Sequence, residues 1–250
     1  MLHSVPEKYR TPGGTFYRPF LALAERPHLL IAGATGSGKS VSLNGIIYTL
    51  LMLKSPFDCS FVLIDPKKVE LVQYSSLPHT MKYASEGPDI IHALQWAVEE
   101  TDRRFSVMQR DRVREYTGPD MYVIIDELAD LMTMYKNETL PLLQRLAAIG
   151  RAAKVHLIAC SQNILAATIP TTLKCNIPAV LGLRTATAQQ SRFLIAAKGC
   201  EMLPNPKQEG KGYGFLRDGA DLQKLMIYRH TDAEIDALVN YWTSSACVAV

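Results

Sequence analysis

The 250-residue sequence predicts an α/β fold, built on a mostly parallel sheet that helices cover on both faces. Five short apolar runs, none of which alternates with polar residues, are typical of strands buried on both faces. Segments with helical periodicity separate the runs, and this alternation favours parallel strands joined by helical crossovers. The apolar runs lie at residues 29–32, 61–64, 122–125, 157–160 and 179–183.

A glycine-rich segment follows the first run and matches the phosphate-binding pattern G-x-x-x-x-G-K-[ST] at every fixed position. Backbone N–H groups of such a loop, and the positive end of the helix after it, bind phosphate oxygens. Lys39 then reaches the β- and γ-phosphates, while the Ser40 hydroxyl ligates Mg²⁺. We therefore expect ATP and Mg²⁺ to bind at a loop that consists of Gly33, Ala34, Thr35, Gly36, Ser37, Gly38, Lys39, Ser40 and Val41.

Two later runs end in polar residues that suit ATP hydrolysis. Asp126 and Glu127 directly follow the third run. Asp126 suits a water-mediated Mg²⁺ contact, and Glu127 is then placed to orient or deprotonate the attacking water. The same two carboxylates could instead cap the next helix, and capping is compatible with catalysis. Gln162 follows the fourth run and can sense the γ-phosphate if that strand lies between the other two.

The remaining segments predict helices and a C-terminal β-hairpin. Apolar residues recur at helical spacing between the strands. Near the C terminus, strands at 210–216 and 222–230 flank a turn at residues 218–220. Thr231 or Asp232 can cap a last helix. The predicted helices span residues 39–54, 90–116, 140–153, 187–197 and 232–242.

The sequence divides into three parts. Residues 1–27 form a proline-containing N-terminal arm, residues 28–230 the nucleotide-binding unit, and residues 231–250 a C-terminal helix with an irregular tail from residue 243. No membrane anchor or signal peptide is expected, because the longest apolar stretch is far shorter than a bilayer crossing requires.

Net charge and cysteine spacing bear on the partners and the compartment of the protein. The net charge of +3 neither requires nor excludes a nucleic-acid partner, since a local basic patch is sufficient for binding. The five cysteines are scattered and odd in number, without the spacing of a zinc site or a disulfide framework. This pattern suits a reducing compartment, and we expect a cytoplasmic location.

Three further sequence motifs follow the phosphate-binding loop along the chain. In order, they are Asp65-Pro66-Lys67, Asp126-Glu127-Leu128-Ala129-Asp130 and Arg151-Ala152-Ala153-Lys154. With the phosphate-binding loop, they resemble the motor domain of the FtsK/SpoIIIE DNA translocases, within the FtsK–HerA ring ATPases, over residues 27–229. The resemblance implies a RecA-like P-loop NTPase that assembles as a homo-oligomer, a hexameric ring. It also implies ATP hydrolysis that moves double-stranded DNA through the central channel.

The resemblance further implies roles for three arginines. Arg151 matches the family arginine that acts in the site of the neighbouring subunit. Arg192 matches a position near the channel loops and is the candidate DNA-binding residue. The string Gly182-Leu183-Arg184-Thr185 resembles the related type VII secretion ATPases, so Arg184 is an alternative arginine for action in trans.

Two departures from the family pattern keep other functions open. Asn163 and Ala188 stand where the family has basic residues, near the subunit boundary or the DNA channel. One alternative is a type VII secretion-like or conjugative coupling ATPase that moves protein or nucleoprotein. A P-loop kinase is disfavoured by Glu127 and by the lack of an obvious lid. A degenerate partner subunit is disfavoured because all core catalytic positions are intact.

Overall fold

The computed structural model describes residues 26–166, 168–209 and 211–246 of the chain. Eight strands within these residues form one sheet. They are β1 (His28–Ala32), β2 (Cys59–Ile64), β3 (Thr80–Ala84), β4 (Asp120–Ile125), β5 (Val155–Ser161), β6 (Ala179–Gly182), β7 (Gly212–Asp218) and β8 (Asp221–Ile227).

The strand order is β3-β2-β4-β5-β1-β6-β7-β8. The strands from β3 to β6 in this order are parallel, whereas the pairs β6–β7 and β7–β8 are antiparallel. The predicted mostly parallel sheet with a C-terminal hairpin is therefore confirmed. Because β5 lies between β4 and β1, the carboxyl ends of these three strands are neighbours at one edge of the sheet.

Helices connect the strands and cover both faces of the sheet. Short 3₁₀ turns occur at Val72–Tyr74 and Cys200–Met202. None of the helices in the described ranges has both the length and the apolar composition that crossing a membrane requires. The helices are α1 (Lys39–Leu53), α2 (Gly87–Asp111), α3 (Leu128–Met134), α4 (Lys136–Ile149), α5 (Thr171–Lys174), α6 (Ala188–Ile195), α7 (Pro206–Glu209) and α8 (Asp232–Ala246).

Alternate residues of the strands contribute to two apolar clusters, one on each face of the sheet. In β1, Leu30 belongs to the cluster that includes Leu94 of α2, whereas Leu29 and Ile31 belong to the cluster that includes Trp242 of α8. All five side chains are almost fully buried. Both faces of β1 are thus covered, which explains why its residues after His28 are continuously apolar.

The structure corrects the bounds of several predicted elements, and the largest corrections concern three helices. Helix α2 ends at Asp111, five residues before the predicted end, because Arg112 adopts a left-handed φ of 55° and closes the helix. Helix α4 begins at Lys136 and ends at Ile149, where Gly150 is its C-cap. Helix α8 continues to Ala246, so the prediction of an irregular tail from residue 243 is wrong up to that residue.

Four elements of the described residues were not predicted: the strand β3 and the helices α3, α5 and α7. Strand β3 lies at the edge of the sheet and is largely exposed, so it lacks an apolar run. Helix α3 follows Glu127 directly and is separated from α4 by Tyr135. Residues 1–25 of the predicted arm and residues 247–250 of the predicted tail lie outside the described residues.

Candidate nucleotide-binding and hydrolysis site

The glycine-rich loop joins the carboxyl end of β1 to the start of α1. Gly38 is the N-cap of α1 and has a φ of 99°, in the left-handed region that favours glycine. The loop is held from both sides, because Gly33 N donates to Ser161 O (3.3 Å) and Ala34 N donates to Arg184 O (2.8 Å). The loop is therefore fixed between β5 and β6, with the N terminus of α1 directly behind it.

Lys39 lies among the acidic residues that end β4. Its Nζ donates to Asp126 Oδ1 (3.0 Å) and to the Asp126 carbonyl (2.7 Å), and it lies 3.8 Å from Glu127 Oε2. The three side chains are 2–5% exposed. Sequence reasoning placed these residues in one site, and the structure brings them together.

The electrostatics of this group favour a charged lysine. Burial alone lowers the pKa of Lys39, but the neighbouring Cys160, Asp126 and Glu127 raise it by more. Burial also raises the pKa of the Cys160 thiol, which is therefore neutral near pH 7. The two carboxylates are then what keeps Lys39 protonated and ready to meet an incoming phosphate.

Glu127 is held by the strand between β4 and β1. The backbone N–H of Gln162 donates to Glu127 Oε1 (3.1 Å), and Thr35 of the phosphate-binding loop donates to Gln162 Oε1 (3.2 Å). Gln162 thus bridges the loop and the glutamate, as its predicted sensor position requires. Glu127 also accepts from Ala129 N (3.4 Å), so it caps α3 as well, and capping coexists with its place in the site.

Lys67 is a neighbour of Glu127 that the residue pattern alone did not assign to a role. Its Nζ lies 3.5 Å from Glu127 Oε2 and 3.5 Å from Asp130 Oδ2. Its side chain is 43% exposed, whereas that of Glu127 is 2% exposed. Glu127 therefore faces two lysines, Lys39 from inside the fold and Lys67 from the solvent side.

Glu70 is a site residue that sequence reasoning missed. Its Oε1 accepts a hydrogen bond of 2.5 Å from the Ser40 hydroxyl. Glu70 lies in the loop after β2, 30 residues beyond Ser40, and no spacing rule links the two positions. Only a general signal in the sequence could have indicated Glu70. Acidic residues that follow a parallel strand lie at the carboxyl edge of the sheet, where ligands bind.

The donors at this edge fit a magnesium ion bound with a nucleotide. Ser40 and Asp126 offer a hydroxyl and a carboxylate oxygen, the hard ligands that Mg²⁺ prefers, and Glu70 adds a carboxylate beside Ser40. Among the described residues no group of three or more His, Cys, Asp or Glu side chains forms a preassembled metal cage. A Mg²⁺ ion bound with a nucleotide takes few protein ligands and the rest from phosphates and water.

A cleft of about 710 Å³ opens in front of the loop and is large enough for a nucleotide. Its floor is the phosphate-binding loop with Lys39 and Ser40. Its far wall comes from β8 and the residues after it, including Met226 and Tyr228. Apolar and aromatic groups in such a wall suit a planar base. The sequence predicted the hairpin but not its part in this cleft.

The arginine candidates lie at different places. Arg151 is exposed in the loop before β5, at the amino edge of the sheet, across the length of β5 from Gln162. Arg184 follows β6 and is half-buried, with its carbonyl against the phosphate-binding loop of its own chain. Arg192 is exposed on α6. The three arginines are therefore not brought together, and Arg151 is remote from its own site.

Known proteins match both the sequence and this geometry. The model of the FtsK/SpoIIIE family matches residues 17–122. The DNA translocase FtsK of Listeria monocytogenes is 34% identical over 241 residues, which cover 88% of this chain and 31% of the relative. The chain belongs to the FtsK/SpoIIIE family. It spans about a third of the length of that relative.

Two solved structures with lower sequence identity share the fold of this family member. The conjugation coupling protein TcpA of plasmid pCW3, solved as a monomer with ATPγS, is 24% identical with a TM-score of 0.74, over 88% of this chain and 66% of TcpA. The cytoplasmic domain of the Thermomonospora curvata type VII secretion ATPase EccC is 22% identical with a TM-score of 0.72, over 86% of this chain and 28% of EccC. The predicted RecA-like P-loop fold is confirmed.

Proposed function

We propose that this chain is the ATP-hydrolysing motor of a double-stranded DNA translocase that works as a closed ring of identical copies. The observation that carries the proposal is the position of Glu127. It is a buried carboxylate next to Lys39 and Asp126, bonded to the Gln162 backbone. A protein that only binds nucleotide has no need for this second acid, whereas hydrolysis requires a group that accepts a proton from water.

The proposed chemistry assigns one task to each residue. The backbone N–H groups of the loop and Lys39 bind the phosphates, and Lys39 exchanges its contact with Asp126 for the β- and γ-phosphate oxygens. Glu127 accepts a proton from the water whose oxygen attacks the γ-phosphorus, and the bond to the β-phosphate oxygen breaks. Bound Mg²⁺, held by Ser40 and Asp126, would neutralise phosphate charge. The Gln162 side chain orients the γ-phosphate and the water.

The position of Arg151 supports a role in the neighbouring subunit. Its loop is held rigidly, because the buried Arg104 donates to the carbonyls of Ala153 (2.9 Å) and Lys154 (3.2 Å). Tyr116 N also donates to Ala152 O (2.9 Å). A fixed, exposed arginine at the edge opposite its own site suits insertion into the next copy of a ring. We propose that Arg184 acts in its own site.

The proposed DNA contacts are mainly to phosphates. Arg192 is exposed on α6 and is the proposed phosphate contact. Contacts to phosphates give the sequence-tolerant, salt-sensitive binding that a translocase needs. The DNA assignment rests on membership of the FtsK/SpoIIIE family, and the net charge of +3 is compatible with it.

The test measures ATP turnover with and without duplex DNA at low salt. We expect DNA to stimulate the wild-type chain and Glu127→Gln to lower turnover by about 100-fold or more, as loss of a general base does. Glu99→Gln removes an exposed carboxylate of α2 and is the matched control, with turnover expected to stay at the wild-type value.

Each contrary result removes a different part of the proposal. If duplex DNA leaves turnover unchanged while Glu127→Gln abolishes it, the chain is an ATPase but not a DNA motor. Stimulation by a peptide substrate instead of DNA would then indicate a protein-moving ATPase. If Glu127→Gln retains wild-type turnover, the assignment of the catalytic base is wrong.

A further inference from the structure

The hydrogen bond between Ser40 and Glu70 belongs to a longer docking of the loop after β2 against α1. One turn further along α1, Asn44 Oδ1 accepts a hydrogen bond of 2.9 Å from the Tyr74 hydroxyl. Both pairs are 30 residues apart in sequence, so residues 70–74 follow α1 in register. Glu70 is therefore held beside Ser40 by an extended contact and not by one flexible side chain.

The fully buried Asp65 fixes this loop from its other end. Asp65 Oδ2 accepts from Leu71 N (2.9 Å), directly after Glu70. The Gln73 side-chain amide donates to the Glu70 carbonyl (3.1 Å). Leu71 is fully buried and anchors the segment in the core. The backbone at the Glu70 carbonyl and at Leu71 directly after it is thus fixed before any ligand binds.

The hydrogen bond to Glu70 affects how the Ser40 hydroxyl can bind a cation. A serine hydroxyl has one proton to donate and two lone pairs with which it can accept or ligate. When its oxygen ligates a cation, the proton must point to an acceptor elsewhere. Asp126, the acidic residue expected near the cation, is engaged by Lys39 at 3.0 Å. Glu70 is the carboxylate that contacts Ser40.

We propose that Glu70 is a positioning residue for the magnesium ion: it accepts the hydrogen bond from the Ser40 hydroxyl and so directs the Ser40 lone pairs to the metal. Its negative charge also strengthens the Ser40 oxygen as a ligand. Glu70 itself is not a direct ligand in this proposal, which rests on the proposed nucleotide-binding function. The bond to Glu70 leaves both Ser40 lone pairs free, so it prepares the site for a cation and does not block it.

The test separates metal binding from nucleotide binding. Mn²⁺ serves as the metal probe, and electron paramagnetic resonance measures its affinity for the complex of the full chain with ADP. We expect Glu70→Gln to weaken Mn²⁺ binding on the order of 10- to 100-fold, the usual loss when a group that orients a metal ligand is changed. The affinity for a fluorescent ADP analogue in EDTA should stay within about twofold of the wild type.

Control variants and alternative outcomes make the test decisive. Glu70→Ala removes the acceptor as well as the charge and should weaken Mn²⁺ binding at least as much, whereas Glu99→Gln should change nothing. An equal loss of ADP affinity with and without metal, unchanged Mn²⁺ affinity, or tighter Mn²⁺ binding in Glu70→Gln would each overturn the proposal. If the wild-type chain binds no ADP under either condition, the proposed function itself fails.

Discussion

Gly33 shows how tightly the phosphate-binding loop is packed at the scale of one residue. A Cβ atom added at this position would lie 2.5 Å from Ser37 Oγ and 2.6 Å from Leu183 Cβ. Atoms this close cannot coexist, so the loop or the end of β6 would have to move. Ser37 is 3% exposed and Leu183 is fully buried, and neither has free space to move into.

We expect Gly33→Ala to weaken nucleotide binding by at least about tenfold and to lower the free energy of unfolding by about 1–3 kcal/mol, the usual cost of overpacking. Binding of a fluorescent ADP analogue and urea denaturation measure the two effects. Gly219→Ala is the control: Gly219 has a φ of 59° in the hairpin turn, with open space around it. That variant should lose stability but keep nucleotide affinity. Normal affinity in Gly33→Ala would contradict the packing argument.

The residues that could be predicted from sequence are those that a short spacing rule connects. Lys39 and Ser40 belong to one eight-residue pattern, and Asp126 and Glu127 end one strand. The interactions of Glu70 with Ser40 and of Lys67 with Glu127 join loops far apart in sequence. Such contacts depend on how the strands are ordered in the sheet, and no local pattern specifies that order.

At the scale of elements, strands and helix ends were likewise predicted only where a local sequence pattern marks them. Buried strands such as β1 and β4 were found because both of their faces are covered and every position after the first is apolar. Strand β3 was missed because, as a half-exposed edge strand, it has no such run. The end of α2 was misplaced because Arg112 adopts a left-handed φ, and arginine gives no sequence signal for that conformation.

The docking of α8 on the sheet is linked to a buried histidine. His79 is fully buried, stacks on Phe61 (5.5 Å between ring centroids) and meets the edge of Trp242 (4.9 Å). Its Nε2 lies 3.1 Å from the carbonyl of Lys54. Trp242 donates from Nε1 to Leu51 O (3.0 Å), so α8, β2 and the end of α1 meet around this ring. Burial lowers the pKa of His79 to about 4.

This lowered pKa makes stability depend on pH in a defined direction. Between pH 6.5 and about 4 the unfolded chain binds a proton at His79 that the folded chain does not. The stability that the neutral, buried His79 contributes is fully present above pH 6.5. As the pH falls from 6.5 towards 4, the free energy of unfolding decreases by about 1.4 kcal/mol per pH unit. The pKa of His28 is lowered by burial in the same direction, also to about 4.

We therefore expect the free energy of unfolding, measured in urea at several pH values from 7.5 to 4.5, to decrease below pH 6.5. His79→Phe cannot titrate, so its slope should be smaller than that of the wild type by about 1.4 kcal/mol per pH unit. His92→Gln, which changes an exposed histidine of α2, should keep the wild-type slope. Equal slopes for His79→Phe and the wild type would show that His79 is not responsible.

For the whole molecule, the sheet separates the two halves of the proposed catalytic unit. Glu127 and the phosphate-binding loop lie at the carboxyl edge, whereas Arg151 lies at the amino edge, before the seven residues of β5. One copy cannot bring both edges together, but neighbouring copies in a head-to-tail ring can. Arg184 follows β6 at the carboxyl edge, so it needs no neighbour to reach the loop.

Mixing inactive variants distinguishes these positions. Glu127→Gln and Arg151→Ala should each lose turnover alone, Arg151→Ala by roughly 1,000-fold or more, as for arginines that stabilise phosphoryl transfer. In a mixed ring, an Arg151→Ala subunit retains Glu127 and can receive Arg151 from a Glu127→Gln neighbour. Random mixing in equal amounts completes about one quarter of the interfaces, so we expect DNA-stimulated turnover to recover to about that fraction of the wild type.

Two control mixtures determine the origin of any recovery. Arg151→Ala mixed with the Glu127→Gln/Arg151→Ala double variant has no donor of Arg151 and should stay inactive. Arg184→Ala mixed with Glu127→Gln should also stay inactive, because an arginine that acts in its own chain cannot be supplied by a neighbour. Recovery in the Arg184→Ala mixture but not in the Arg151→Ala mixture would reverse the two assignments. No recovery in either mixture would contradict a site shared between subunits, since both halves of such a site are present in each mixture.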